Sequence, residues 1–219
     1  MVRPTNTPIL VIGLGRFGSA LAEELVASGQ DVMAVERDRN LVQHFAEDFT
    51  TVVQADATDM DALQQLGVEQ FETAVVGIGT SIENSVLTVA NLVDLGVRNI
   101  WAKAITRSHG EILERIGANH VIYPEQEAGE RTAHLLGGRM RNFTEFSPGY
   151  ALANITVPKS LAERPVHELR LKERYGVTVV AYEDENDFHN IAPDTVLPAG
   201  SNMLVAGPTD SVDEFANRL

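Results

Sequence analysis

Three glycines, Gly13, Gly15 and Gly18, lie in the stretch VIGLGRFGSA (residues 11–20) at the spacing G-x-G-x-x-G. Chain this permissive turns tightly and lets backbone N–H groups come close to a phosphate. If a helix starts at the loop, its free N–H groups and positive dipole end face the same anion. Arg16 sits inside the motif and adds a full positive charge, where an ordinary dinucleotide loop carries small or apolar residues. Gly13, Gly15, Arg16, Phe17 and Gly18 are therefore candidate contacts for a phosphorylated ligand.

Further candidates stand where strands are expected to end. Glu36 closes the second apolar run, where a Rossmann acid accepts hydrogen bonds from ribose hydroxyls; the alternative is a solvated strand-end acid. A carboxylate there disfavours the 2′-phosphate of NADP, and Arg37 weakens that exclusion slightly. The triplet Asp56-Ala57-Thr58 either meets an adenine edge or serves a helix start, with Thr58 or Asp59 as N-cap. In GIGTSIEN (77–84), which holds the candidate contacts Ile78 and Gly79, the two glycines allow close approach to ribose or phosphates; Lys103 is a lone cation in an apolar strand, suited to a phosphate, the alternative being a snorkelling edge lysine. Glu125 either complements a helix dipole or supplies an oxygen ligand to a divalent cation beside the phosphates.

The elements that must position these residues follow from periodicity. Apolar runs at 9–14, 31–36, 50–56, 73–79, 99–104 and 120–124 read as strands buried on both faces. Helical patterns at 16–28, 39–47, 59–66, 82–95 and 108–116 alternate with them, several stopping at a glycine, as in ASGQDV, QLGVEQF, DLGVRNI and RIGANHV. This predicts an α/β fold, a Rossmann-like doubly wound parallel sheet. A further helix is expected over 125–141, closing a domain of residues 1–141. NFTEFSPG (142–149) reads as a linker, and residues 150–219 as a small α+β domain: a strand at YALANITVP, one short helix at RPVHELRLKERYG, strands at VTVVAYE and SNMLVAGP, and a last helix at SVDEFANRL.

Composition narrows the function. A net charge of −14 argues against nucleic acid or anionic lipid as partner. With no cysteine, disulfides, thiolate catalysis and cysteine-ligated zinc are excluded. MVRPTNTP lacks the apolar core of a signal peptide, and no apolar run approaches the roughly 20 residues that span a bilayer, so a soluble cytoplasmic protein is expected. The six histidines show no metal-ligand spacing and read as surface or partly buried residues; no nucleophile elbow or Walker A loop is present.

The runs VIGLGRFGSALAEEL, AVERD, ADATD, GIGTSIENSVLT, NIWAKA, LERIGANHVIYPEQEAGER and ERYGVTVVAY together resemble the RCK proteins (regulators of potassium conductance), regulatory subunits of Ktr/Trk-type bacterial potassium uptake systems. The resemblance covers nearly the whole chain. It implies RCK-N and RCK-C domains, and homodimers joined through the crossover helix and assembled into an octameric ring. That ring docks on an integral-membrane potassium-translocating subunit at the cytoplasmic face. It further implies ATP or ADP as ligand, or NAD(H), with Arg16 at the terminal phosphate across a subunit interface and Glu125 at a cation such as Mg²⁺, Ca²⁺ or Na⁺. Some relatives bind cyclic di-AMP in the C-terminal domain; here RPVHEL and IAPDTVLP suit a plain hydrophobic dimer core better, for want of a basic phosphate clamp. The expected function is a nucleotide-sensing regulator, not an enzyme. The rival is an NAD-dependent oxidoreductase, which needs a proton-transfer residue at the nicotinamide.

Overall fold

The structure, a computed structural model, describes residues 7–137, 140–185 and 187–219. The sequence readings on residues 1–6 and on positions 138 and 139 of the 125–141 helix lie outside the described residues. The chain divides into two compact units, Met1–Glu125 and Gln126–Leu219.

The first unit is a six-stranded sheet of β1 (Ile9–Ile12), β2 (Val32–Glu36), β3 (Thr51–Gln54), β4 (Thr73–Val76), β5 (Asn99–Lys103) and β6 (His120–Ile122). All pairings are parallel, in the order β3-β2-β1-β4-β5-β6. Burial on both faces explains the continuous apolar runs: Val11 enters a cluster with Ala22, Ala34 and Phe45, while its neighbours Leu10 and Ile12 enter another with Leu63, Leu92 and Leu113. Between the strands run α1 (Arg16–Ala27), α2 (Arg39–His44), α3 (Met60–Gln65), α4 (Ile82–Asp94) and α5 (Arg107–Ile116). Asp38, Asp59, Ser81 and Thr106 cap four of these helices through their side chains. The glycines expected to end helices, Gly29, Gly67, Gly96 and Gly117, all have positive φ.

Strand order reverses between β1 and β4, and three glycines bring backbone together there. A Cβ on Gly18 would collide with the Gly13 carbonyl oxygen, and one on Gly77 would lie 3.1 Å from that oxygen. Gly18→Ala is therefore expected to lower the unfolding free energy by about 2 kcal/mol or more, because backbone cannot rotate aside as a side chain can. Urea denaturation with an unchanged m-value checks this.

The second unit holds the rest of α6 (Pro124–Leu136) and an antiparallel sheet in the order β10-β9-β11-β8-β7. The strands are β7 (Met140–Ser147), β8 (Tyr150–Thr156), β9 (Thr178–Asp184), β10 (Asp187–Asn190) and β11 (Asn202–Pro208). Alternate residues of β8 and β11, among them Ile155 and Met203, pack with Leu169, Leu197 and Phe215. Short helices α7 (Val166–Leu169) and α8 (Leu171–Tyr175) and a last helix, α9 (Thr209–Arg218), complete the unit. His134 of α6 stacks on Phe143, with ring centroids 3.8 Å apart, and its Nδ1 lies 2.9 Å from Asp213 Oδ1.

Three local expectations need correction. The stretch 142–149 is no linker: it is most of edge strand β7 and the turn into β8, with Pro148-Gly149 as the hairpin tip and Phe143 buried. The single helix expected near 164–176 is two, broken at Arg170, whose backbone is left-handed. Polar β10 was not expected at all.

Candidate functional site

At the carboxyl ends of β1 to β4 lies a cavity of about 480 Å³, within the range of small-molecule sites. Gly13 and Gly15 line one part, Glu36, Arg37 and Asp38 a second, Asp56, Ala57 and Thr58 a third, and Ile78 and Gly79 a fourth. The crevice at a topological switch point is where open α/β sheets take their ligands.

The loop end of this cavity is built for an anion. Gly15 occupies the N-cap of α1 without a side chain to cap it, and no acidic residue stands in the first turn. The first intrahelical bond is from Ser19 N to Gly15 O, so the N–H groups of Arg16, Phe17 and Gly18 have no backbone acceptor within the helix. Arg16 is exposed and makes no ion pair among the described residues.

Glu36 holds the loop in place. Its Oε2 accepts from Leu14 N at 2.7 Å, while Oε1 accepts from Arg37 N at 2.7 Å and Asp38 N at 2.9 Å. The carboxylate thus ties the end of β2 to the glycine loop, and its remaining lone pairs are what a ribose could use. Asp56 Oδ1 accepts from Thr58 N and Thr58 Oγ1 at 3.0 and 2.7 Å, and Arg37 Nη1 is 3.8 Å from Oδ2. These Thr58 hydrogen bonds, and secondarily Arg37, hold the Asp56 carboxyl below the usual carboxylate range. The helix-start role belongs to Asp59, which accepts from Asp61 N and Ala62 N.

Arg16, Phe17, Gly18, Lys103 and Glu125 do not line the cavity. Lys103 is buried, its Nζ 2.5 Å from Glu125 Oε1 and 5.8 Å from the centroid of the Phe17 ring. A Cβ on Gly79 would be 3.3 Å from that Nζ, so the ammonium lies behind the loop that forms the cavity wall. The Lys103 hydrogen bond lowers the Glu125 pKa, with smaller help from the charge of Arg16. In a single chain the group against Glu125 Oε1 is the Lys103 ammonium, and among the described residues no group of three or more His, Cys, Asp or Glu side chains could hold a metal ion. His109, read as a surface or partly buried residue, is buried; Nδ1 faces Ile105 N at 3.3 Å and burial lowers its pKa.

The Lys103–Glu125 pair carries a pH dependence of definite sign. A carboxyl whose folded pKa is depressed stabilises the fold above its unfolded value and loses that contribution as pH falls through the folded one. Glu125→Gln should therefore melt below wild type at pH 7, and the gap should close as pH drops below about 4, the ordinary carboxylate range. Melting curves across pH check this.

Reasoning from sequence missed the α4 wall. Asn84 and Thr88 line the cavity, and Asn91, one turn further on, donates from Nδ2 to Ala57 O and Thr58 O at 3.2 and 3.1 Å. The signal lay in three polar residues at helical spacing along one face of an apolar helix.

Residues 9–124 match the family model of the TrkA-N domain and residues 151–219 that of the TrkA-C domain. The chain is 32% identical over 219 residues to the Ktr system potassium uptake protein A of Bacillus subtilis, covering 99% of each. It is 32% identical over 212 residues to the protein of that name in Vibrio alginolyticus, covering 95% of this chain and 94% of that one. Among solved structures it is similar to the GsuK channel bound to NAD, with a TM-score of 0.64 and 21% identity over 100% of this chain. It spans 40% of that longer chain. Among the described residues no helix is long and apolar enough to cross a membrane.

Proposed function

The chain belongs to the TrkA family, with a TrkA-N and a TrkA-C domain in order, and on that premise we propose that it is the adenine-nucleotide-sensing regulatory subunit of a Ktr/Trk-type potassium uptake system. The observation that carries the reading is the uncapped start of α1, with its glycine loop and unpaired Arg16, opening on a cavity long enough to pass from Gly15 to Thr58. Phosphates lie at the N–H groups of Arg16 to Gly18, ribose at Glu36, and the base at the Asp56–Thr58 turn.

The protein acts by binding. An oxidoreductase would need a group to exchange a proton with the substrate while the nicotinamide exchanges a hydride; the carboxylates Glu36 and Asp56 that line the cavity are instead engaged with Leu14 N, Arg37 N and Thr58. Ligand occupancy biases the shape of a homo-oligomeric ring, built of homodimers and docked at the cytoplasmic face on an integral-membrane potassium-translocating subunit. ATP and ADP regulate only so far as they bind the two shapes with different affinity. Arg16, exposed and unpaired, supplies that difference at the terminal phosphate, in its own chain or a neighbour's. The net charge of −14 suits docking against the basic cytoplasmic loops usual in membrane proteins.

A cation at Glu125 would need further oxygen ligands beside this carboxylate, from the nucleotide phosphates or a neighbouring subunit. In the C-terminal unit the apolar segments RPVHEL and IAPDTVLP, joined by His167 Nδ1 2.8 Å from Pro193 O, suit a hydrophobic dimer contact. The test of the function is thermal stabilisation of the purified full chain by ATP, ADP and NAD. Binding to the folded state alone raises the melting temperature in proportion to ligand excess. A chain that none of the three stabilises is not a nucleotide sensor.

A further inference from the structure

Among the described residues His109 is the one histidine that is buried, and the function above makes no use of it. It stands in the first turn of α5, whose N-cap, Thr106, accepts from His109 N through Oγ1. In return the imidazole reaches back, and its Nδ1 accepts from Ile105 N at 3.3 Å. The ring is therefore neutral with its proton on Nε2, and that nitrogen is buried without a hydrogen-bond partner. Helix starts that use such a return bond usually make it with Glu or Gln, which do not change charge near neutral pH. A histidine does.

We propose that His109 is a proton-operated latch on the turn from β5 into α5: neutral, it ties Ile105 N and holds the turn against the cavity wall at Gly79; protonated, it releases both. Ile105 supplies the link, because its Cγ2 lies 3.7 Å from where a Cβ on Gly79 would stand, and Gly79 lines the cavity. A protonated imidazole carries a donor at both nitrogens, so Nδ1 can no longer accept from Ile105 N. Its charge would also be buried at the positive end of a helix dipole. No counter-charge meets it. Glu83 and Asp94 on α4 and His120 on β6 are exposed, Tyr123 places its hydroxyl against Gly110, and Lys103 on β5 is paired with Glu125. None of these shares a hydrogen bond or ion pair with His109, and the charged residues of α5 itself are exposed. Burial accordingly lowers the pKa of the ring. The closed turn admits only the neutral form, and a proton enters by opening it.

The coupling to ligand rests on the nucleotide reading above, the latch itself does not, and the experiment separates them. Hydrogen exchange of the full chain, read by mass spectrometry and corrected for intrinsic rates, follows the amides of 104–110 and 77–80. The open turn takes up a proton at the ordinary histidine value of 6.5, and each pH unit below it favours opening about tenfold. Protection of both segments should therefore fall about tenfold between about pH 7.5 and about pH 5.5 in wild type. In His109→Asn, whose Oδ1 replaces Nδ1 as acceptor, and in His109→Gln, protection should be the same at both pH values. Saturating ADP should raise the protection of both segments, since whatever binds the closed wall also holds the latch. The proposal is overturned if wild-type protection of 104–110 does not change with pH, or if both substitutions lose it as wild type does. It is equally overturned if 104–110 loosens while 77–80 does not, or if bound ADP protects neither. A wild type that takes up no ADP by calorimetry sinks the nucleotide reading, and the pH comparison still decides the latch.

Discussion

Gly15→Asp is expected to abolish nucleotide binding, by 100-fold or more, while leaving the unliganded chain as stable as wild type or more so. The two effects have opposite signs for one reason. Gly15 is the N-cap of α1, with φ −66° and ψ −178°, a backbone that any residue adopts, and a Cβ there meets nothing within 4 Å. An aspartate fits without strain, accepts from the free N–H groups of the first turn, and complements the dipole, which over glycine is worth a few tenths to about 1 kcal/mol to a helix. It also narrows the freedom of the unfolded chain. Yet its carboxylate takes the position a phosphate would occupy, satisfying the same donors and repelling the same charge. Calorimetry and a melting curve on one preparation read both outcomes. Loss of binding together with loss of stability would point instead to damage of the loop.

Arg16→Ala is the second large effect, and its signature is selectivity. The guanidinium is exposed and unpaired, so removing it leaves no buried charge behind and should not change the melting temperature. Charge-assisted hydrogen bonds to a phosphate are worth about 1.5–3 kcal/mol, so ATP affinity should fall roughly 10- to 150-fold. ADP, one phosphoryl group shorter, should lose much less. The ratio of the two dissociation constants is the quantity to measure. An unchanged ratio means that Arg16 does not read the terminal phosphate.

The parallel sheet was legible because its strands are buried on both faces and its helices stop at glycines, so apolar runs and punctuation coincide. Strand β7 hid itself: only Met140 and Phe143 of its eight residues are buried, and register shifts after Met140 and Glu145 break the alternation that marks a half-buried strand. Strand β10 buries none of its four residues, and its single apolar side chain, Phe188, is too little to make an alternation. At the site, the glycine loop and the strand-end acid announce themselves in one dimension. The Lys103–Glu125 pair does not, since it exists only because β5 and β6 run side by side with Lys103 opposite Ile122, which brings the start of α6 over the ammonium. Thr88 was hidden for a similar reason. A threonine among leucines and valines passes for a packed helix position, and its missing hydrogen-bond partner appears only when neighbouring elements are in place.

A crystal structure of the full chain grown with ADP tests the central claim most directly. The expected result is a diphosphate on the N–H groups of Arg16 to Gly18, the ribose against Glu36, and the base at the Asp56–Thr58 turn. A nucleotide seated elsewhere, or a glycine loop whose donors are met by protein groups with ADP in excess, would contradict it.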